Sequence, residues 1–175
     1  KRLIDQPLMQ NVVADLALEV EAATLLAFRL ARAVDDEQAG DAAAGLLVRI
    51  GTPVGKFWNC KRAVGVVHEA LECHGGNGFI EEGPMARLYR EAPLNGIWEG
   101  SGNIIALDVL RAAARSPDSV PAFIAELRQA KGGDRRLDRM VERLQDELGS
   151  AREPEARGRR IVEQMAIALQ ASLLI

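Results

Sequence analysis

Between Gly75 and Asn103 the chain reads GGNGFIEEGPMARLYREAPLNGIWEGSGN, and the rest of the fold is read outward from this stretch. A glycine just after the last turn of a helix commonly stops it, so Gly75 and Gly76 close the helical run before them. Ser101 stands where an N-cap is needed for the next run, GNIIALDVLRAAAR. The stretch is therefore an irregular bridge between two helices, with one short helix expected from about Met85 to Glu91.

Upstream, Leu8, Val12, Leu16, Val20, Ala23, Ala27, Leu30 and Val34 recur every three or four residues, which predicts one long amphipathic helix from about Pro7. The polar segment DDEQAGDAA (Asp35 to Ala43) ends it. A second helix is predicted from about Ala42 to His74, with a bend at GTPVG, because proline removes a helix hydrogen bond. Downstream of Pro117, three more helices are predicted: Val120 to Ala130, Asp134 to Leu148 and Glu155 to Ile175. Gly132-Gly133 and GSAREPEA separate them. The expected fold class is all-α, an up-and-down helical bundle with additional C-terminal helices. Residues 1–110 carry 10 Lys and Arg against 15 Asp and Glu, whereas residues 111–175 carry 12 against 10. That shift places a boundary near Arg115 to Pro117, giving a bundle over 1–116 and an additional helical region over 117–175.

Composition narrows the function classes. With 48% apolar and 27% charged residues in 175, the chain can bury a core, and a net charge of −3 gives no bulk attraction to nucleic acid or anionic membrane. No apolar run approaches the ~20 residues of a membrane span, and KRLIDQPLMQ lacks a signal-peptide core. A start without Met, inside a helical pattern, suggests a piece of a longer protein. Cys60 and Cys73 form no CxxC, and Cys73 with His74 and His68 lacks zinc-site spacing. Two free, buried thiols in a reducing cytoplasm is the expectation.

Two constellations carry chemistry. Gly75, Gly76 and Gly78 read either as a helix stop and turn or as a loop whose free amides cradle an anion. Glu99, Gly100, Ser101, Gly102 and Asn103 open a helix whose first amides and dipole favour electron-rich ligands. Glu99 sits on a glycine-supported turn beside Trp98. It reads either as a helix-capping carboxylate or, with Trp98 as an apolar wall, as a base, since water-poor surroundings suit a carboxylate to proton abstraction near neutrality. A third feature is the helix DRRLDRMVERLQDEL. Leu137, Val141, Leu144 and Leu148 form its inner stripe, Arg135, Arg136, Arg139 and Arg143 one outer flank, and Asp138, Glu142 and Asp146 the other. The arginine flank reads either as a solvated face or as a contact for phosphates.

The bridge also resembles the C-terminal domain of acyl-CoA dehydrogenases. That family carries Gln-x-x-Gly-Gly-x-Gly-Tyr, Leu-Tyr-Arg-Asp-Ala and Ile-Tyr-Glu-Gly-Thr in this order. The counterparts here are Glu72, Gly75, Gly76, Gly78 and Phe79, then Leu88 to Ala92, then Ile97, Trp98, Glu99, Gly100 and Ser101. The variants Glu72, Trp98 and Ser101, the opening KRLIDQPLMQNVVADLALE and the helices after 117 are similar to the AidB-type branch. The resemblance implies an FAD enzyme that oxidises an acyl-CoA to its trans-2-enoyl thioester, with Glu99 as the α-proton base. It implies cofactor contacts at Gly75, Gly76, Gly78, Trp98, Gly100 and Ser101, the glycine loop reaching the FAD of a neighbouring subunit in a homo-oligomer (dimer or tetramer). Glu72 departs from the family's glutamine, which puts it in doubt as a cofactor ligand. The family's β-domain and N-terminal helices have no counterpart in the chain, so acyl length is not readable. The AidB-type branch also implies a second reading, weak DNA binding in alkylation response through the arginine flank. A third is a structural oligomerisation domain.

Overall fold

The computed structural model describes residues 2–149 and 154–175. Eight α-helices are described: α1 (Pro7–Gln38), α2 (Ala42–Cys73), α3 (Gly76–Phe79), α4 (Pro84–Glu91), α5 (Gly102–Arg115), α6 (Ser119–Leu127), α7 (Arg135–Gly149) and α8 (Pro154–Leu174). No strand occurs among the described residues, so the expected all-α class is the fold. Residues 150–153 of the expected linker GSAREPEA lie outside the described residues.

Local chemistry sets the helix ends. Pro7 occupies the first turn of α1, where its missing N–H costs nothing. Asp41 caps α2, its Oδ1 accepting the Ala43 and Ala44 amides at 2.8 and 3.2 Å. α2 runs as one helix through Pro53, as the sequence predicts. The reason lies in its packing on α1. Gly51 and Gly55 bring the two backbones together, and a methyl group at either would lie 2.7–2.8 Å from Leu30. Ile50, Val54 and Phe57 are buried beside them.

The stripe predicted for α1 is corrected by the structure. Its buried residues are Ala22, Leu26, Leu30 and Ala33, whereas Leu8 (81% exposed), Val20 and Phe28 face outward. α1 carries apolar residues on more than one side, and periodicity alone does not say which side meets a neighbour. The cysteines are likewise half-buried rather than fully buried.

One core cluster draws Leu26 from α1, Ile50 and Val54 from α2, Val109 from α5, Phe123 from α6, Leu144 from α7, and Met165 and Leu169 from α8. Each fully buried large side chain contributes about 1.5–3 kcal/mol. Polar bonds fix the register of the C-terminal helices. Arg29 grips the carboxylate of Glu126, itself 7% exposed, with both guanidinium nitrogens, joining α1 to α6. Trp58 Nε1 donates to Gln170 Oε1 at 2.9 Å and Asn59 Nδ2 donates to the Ala23 carbonyl at 3.1 Å, tying α2 to α8 and α1. No helix among the described residues is long and apolar enough to cross a membrane.

Candidate active site at the mouth of α5

α4 and the 3-10 turn Ala92–Gly96 pack on α2, so the irregular bridge folds back along the helix that precedes it. Tyr89 holds α4 there, its ring 5.4 Å from that of His68 on α2. Arg90 pairs with Glu81 and His68 lies 3.8 Å from Glu72, so the Leu-Tyr-Arg motif and Glu72 engage one another's neighbourhood within this chain.

Gly75 adopts φ 57 and closes α2. The next residues form the single turn α3 rather than an open loop. The Gly75 amide donates to the Glu72 carbonyl and the Gly78 amide to the Gly75 carbonyl, each at 2.9 Å. Of the two readings of the three glycines, the helix stop and turn is what forms, and the donors left for an anion are the first amides of α3, at Gly76 and Asn77. Gly78 is required by space: a methyl group there would meet the Leu71 carbonyl oxygen at 2.3 Å, while Gly75 and Gly76 face open space.

The second constellation is more constrained. Glu99 has φ 57, the one left-handed non-glycine residue among those described, followed by Gly100 at φ 112. A side chain in this region costs about 1–3 kcal/mol and persists only where neighbours enforce it. The neighbour that bonds to this turn is Lys56 of α2. Its Nζ donates to the carbonyls of Trp98 and Gly100, both at 2.7 Å, bracketing Glu99 on either side. Lys61, its Nζ 5.2 Å from the centre of the Phe57 ring, lies against Gly102, where a methyl group would approach its Nζ to 2.9 Å. Ser101 stands at the N-cap of α5 with extended backbone, but its hydroxyl makes no capping bond. The first amides of α5 therefore keep open donor capacity next to a free hydroxyl.

Glu99 and Trp98 are both exposed, Trp98 by 56%. The water-poor wall expected around Glu99 is not formed by the described residues. Glu99 instead lines the end of a groove of about 490 Å³ between α2 and α5, with Pro53, Ile104 and Ile105 among its apolar residues. Arg49 and Asp108 bridge it with paired hydrogen bonds of 3.0 and 3.2 Å. Lys56 and Lys61 were not singled out from sequence. The available signal was a lone cation at 56 between Val54, Gly55 and Phe57, all buried.

The arginine flank of α7 is exposed throughout, as its helical spacing implies. Arg136 is occupied by Asp134, whose carboxyl it holds down at about 2 through side-chain and backbone hydrogen bonds. Arg143 Nε donates to the Arg139 carbonyl at 3.3 Å, and neither Arg135, Arg139 nor Arg143 pairs with a carboxylate among the described residues.

A helical bundle whose irregular segment delivers a strained glutamate to the start of a helix defines a recognisable class. Residues 1–114 match the family described as acyl-CoA dehydrogenase, C-terminal domain, and the chain belongs to that family. AidB of Escherichia coli (strain K12) is 47% identical over 164 residues, which is 93% of this chain and 29% of AidB. Acyl-CoA dehydrogenase family member 11 of Caenorhabditis elegans is 31% identical over 147 residues, covering 83% of this chain and 24% of that protein. The crystal structure of C. elegans ACDH-11 in complex with C11-CoA superposes with a TM-score of 0.88 at 29% identity, over 98% of this chain and 32% of the other. The likeness thus continues past residue 114 into the C-terminal helices. The chain spans about a quarter to a third of the length of these relatives.

Proposed function

We propose that this chain is the C-terminal bundle of an FAD-dependent acyl-CoA dehydrogenase and that Glu99 is its α-proton base. The observation that carries the reading is the left-handed turn that holds Glu99 at the end of the α2–α5 groove. Strain of this kind gathers where geometry serves chemistry. The donor set suits a flavin: the first amides of α5, the Ser101 hydroxyl and the exposed Lys61 beside Gly102 offer donors that fit carbonyl and phosphate oxygens. Trp98, Gly100 and Ser101 would hold it on one side, and Gly75, Gly76 and Gly78 on another. Bound FAD supplies the hydride acceptor. Glu99 takes the proton from the carbon beside the thioester carbonyl, a transfer worth ~10²–10⁴ in rate. The groove receives part of an acyl-CoA, and its closure falls to surfaces outside these residues.

Three further parts of the reading are proposals of the same kind. Residues 1–116 form the dehydrogenase bundle, and 117–175 an added unit that completes its core. Exposed apolar side chains along the first half of α1 suit a homo-oligomer, a dimer or tetramer. Two free thiols suit a reducing cytoplasm. A second reading, weak DNA contact through α7, is favoured by the three arginines that carry no carboxylate partner.

The test of the main reading is Glu99→Gln in the intact protein, followed by stopped-flow reduction of the flavin by an acyl-CoA. The expected result is bound FAD with reduction slowed by ~10²-fold or more. Reduction at the normal rate with FAD bound removes Glu99 from the mechanism.

A further inference from the structure

Lys56 is a charge placed where the sequence otherwise builds a packing surface. Val54, Gly55 and Phe57 beside it are buried, and the Lys56 side chain is only half-exposed. Its ammonium spends two of its three donors on the Trp98 and Gly100 carbonyls at 2.7 Å. Those carbonyls flank Glu99, the one non-glycine residue with positive φ among those described, and charge-assisted bonds are the stronger kind. One cation from a neighbouring helix thus clamps both sides of the residue whose backbone is least willing to stay in place. Relaxing Glu99 to a right-handed conformation would reorient the peptide planes on either side and break at least one of the two bonds.

We propose that Lys56 is a positioning residue for Glu99: it holds the left-handed turn so that the carboxylate projects into the α2–α5 groove. The proposal rests on the reading of Glu99 as base. Lys56 lines the same groove, but its ammonium is directed to the Trp98 and Gly100 carbonyls, so its proposed effect belongs to geometry. A misplacement of ~1 Å costs on the order of 10²-fold in rate. Arginine, which also carries several donors and a fixed charge, is the replacement expected to keep the clamp.

The experiment uses the intact protein in four variants: Lys56→Met, Lys56→Gln, Lys56→Arg and Glu99→Gln. Octanoyl-CoA serves as the probe for kcat and KM. A glutamate-specific protease, with mass spectrometry of the Glu99–Gly100 bond, reports the turn independently of turnover. The expected result for Lys56→Met is retained FAD, a kcat lowered by about 10²-fold, a KM within about twofold, and faster cleavage after Glu99. Lys56→Gln, too short to span both carbonyls, behaves alike and stands in if the methionine variant does not fold. Lys56→Arg restores both rate and protection. The proposal is overturned by a methionine or glutamine variant with normal kcat, by a raised KM at unchanged kcat, or by arginine that fails to restore either readout. Loss of FAD or of helix in both Met and Gln variants also overturns it, since Lys56 would then act on the fold. If Glu99→Gln turns over normally, the base reading fails by itself, and the protease readout still reports whether Lys56 holds the turn.

Discussion

A methyl group at position 78 would sit 2.3 Å from the Leu71 carbonyl oxygen, and one at position 76 would meet nothing within 4 Å. Two glycines of one motif, two residues apart, therefore answer different demands. Gly78 lets α3 lie against the end of α2, while Gly76 leaves its amide and its surface open. Gly78→Ala is expected to lower stability by about 1–3 kcal/mol, because backbone atoms must shift to admit the methyl group. Gly76→Ala should stay within ~0.5 kcal/mol of the parent. Urea unfolding followed by circular dichroism separates the two, and equal midpoints would show that the close approach at Leu71 carries no weight. Glu99 sits at the same scale. Its strain exists because two carbonyls on either side of it share one ammonium, a fact invisible in the hydropathy of either segment.

α7 joins two faces of opposite character. Leu137, Val141 and Leu144 are buried, and Leu148 packs against the core, as the helical spacing predicts. The outer face mixes signs, and Asp134 already holds Arg136. Any contact with nucleic acid therefore falls on Arg135, Arg139 and Arg143. Arg139→Glu with Arg143→Glu is expected to abolish retention on DNA at low salt, and the parent's affinity should fall steeply as salt rises. Unchanged retention of the double variant in a filter-binding assay would exclude this flank. α2 is the other element whose behaviour is set by packing: Pro53 removes one backbone donor, yet the helix continues because Gly51, Gly55 and their neighbours lock it to α1 on both sides of the proline.

The whole molecule presents an uneven surface. The core is closed by α8, while Leu8, Leu18, Val20 and Phe28 of α1, together with Phe79, Ile97 and Trp98 of the bridge, are exposed. Under the proposed homo-oligomer, these side chains are where another copy of the chain would be received. The donors expected to hold FAD are likewise on the outside, with nothing among the described residues to cover a flavin ring. Purified by itself, the chain is expected to fold as a helical bundle, to self-associate, most simply as a dimer, and to lose added FAD on desalting. Light scattering and the flavin absorbance band measure both. A monomer carrying stoichiometric FAD would show that these residues form a closed site unaided.

The sequence by itself determined the helical class, the approximate extent of each long helix, the stop at Gly75 and the start at Ser101, because these depend on residues close together in the chain. Through three spaced motifs it also pointed to the family that residues 1–114 match. The tertiary structure alone decided which face of α1 is buried, that Gly51 and Gly55 of α2 lie against Leu30, and that Gly78 spends its amide within α3. It also brought Lys56 to the carbonyls on either side of Glu99, a residue 43 positions further along the chain. Each of these is a contact between segments distant in sequence. Periodicity reports how apolar residues are arranged around one helix, but only the neighbour that arrives in space determines which of them lose water and which charge finds a carbonyl.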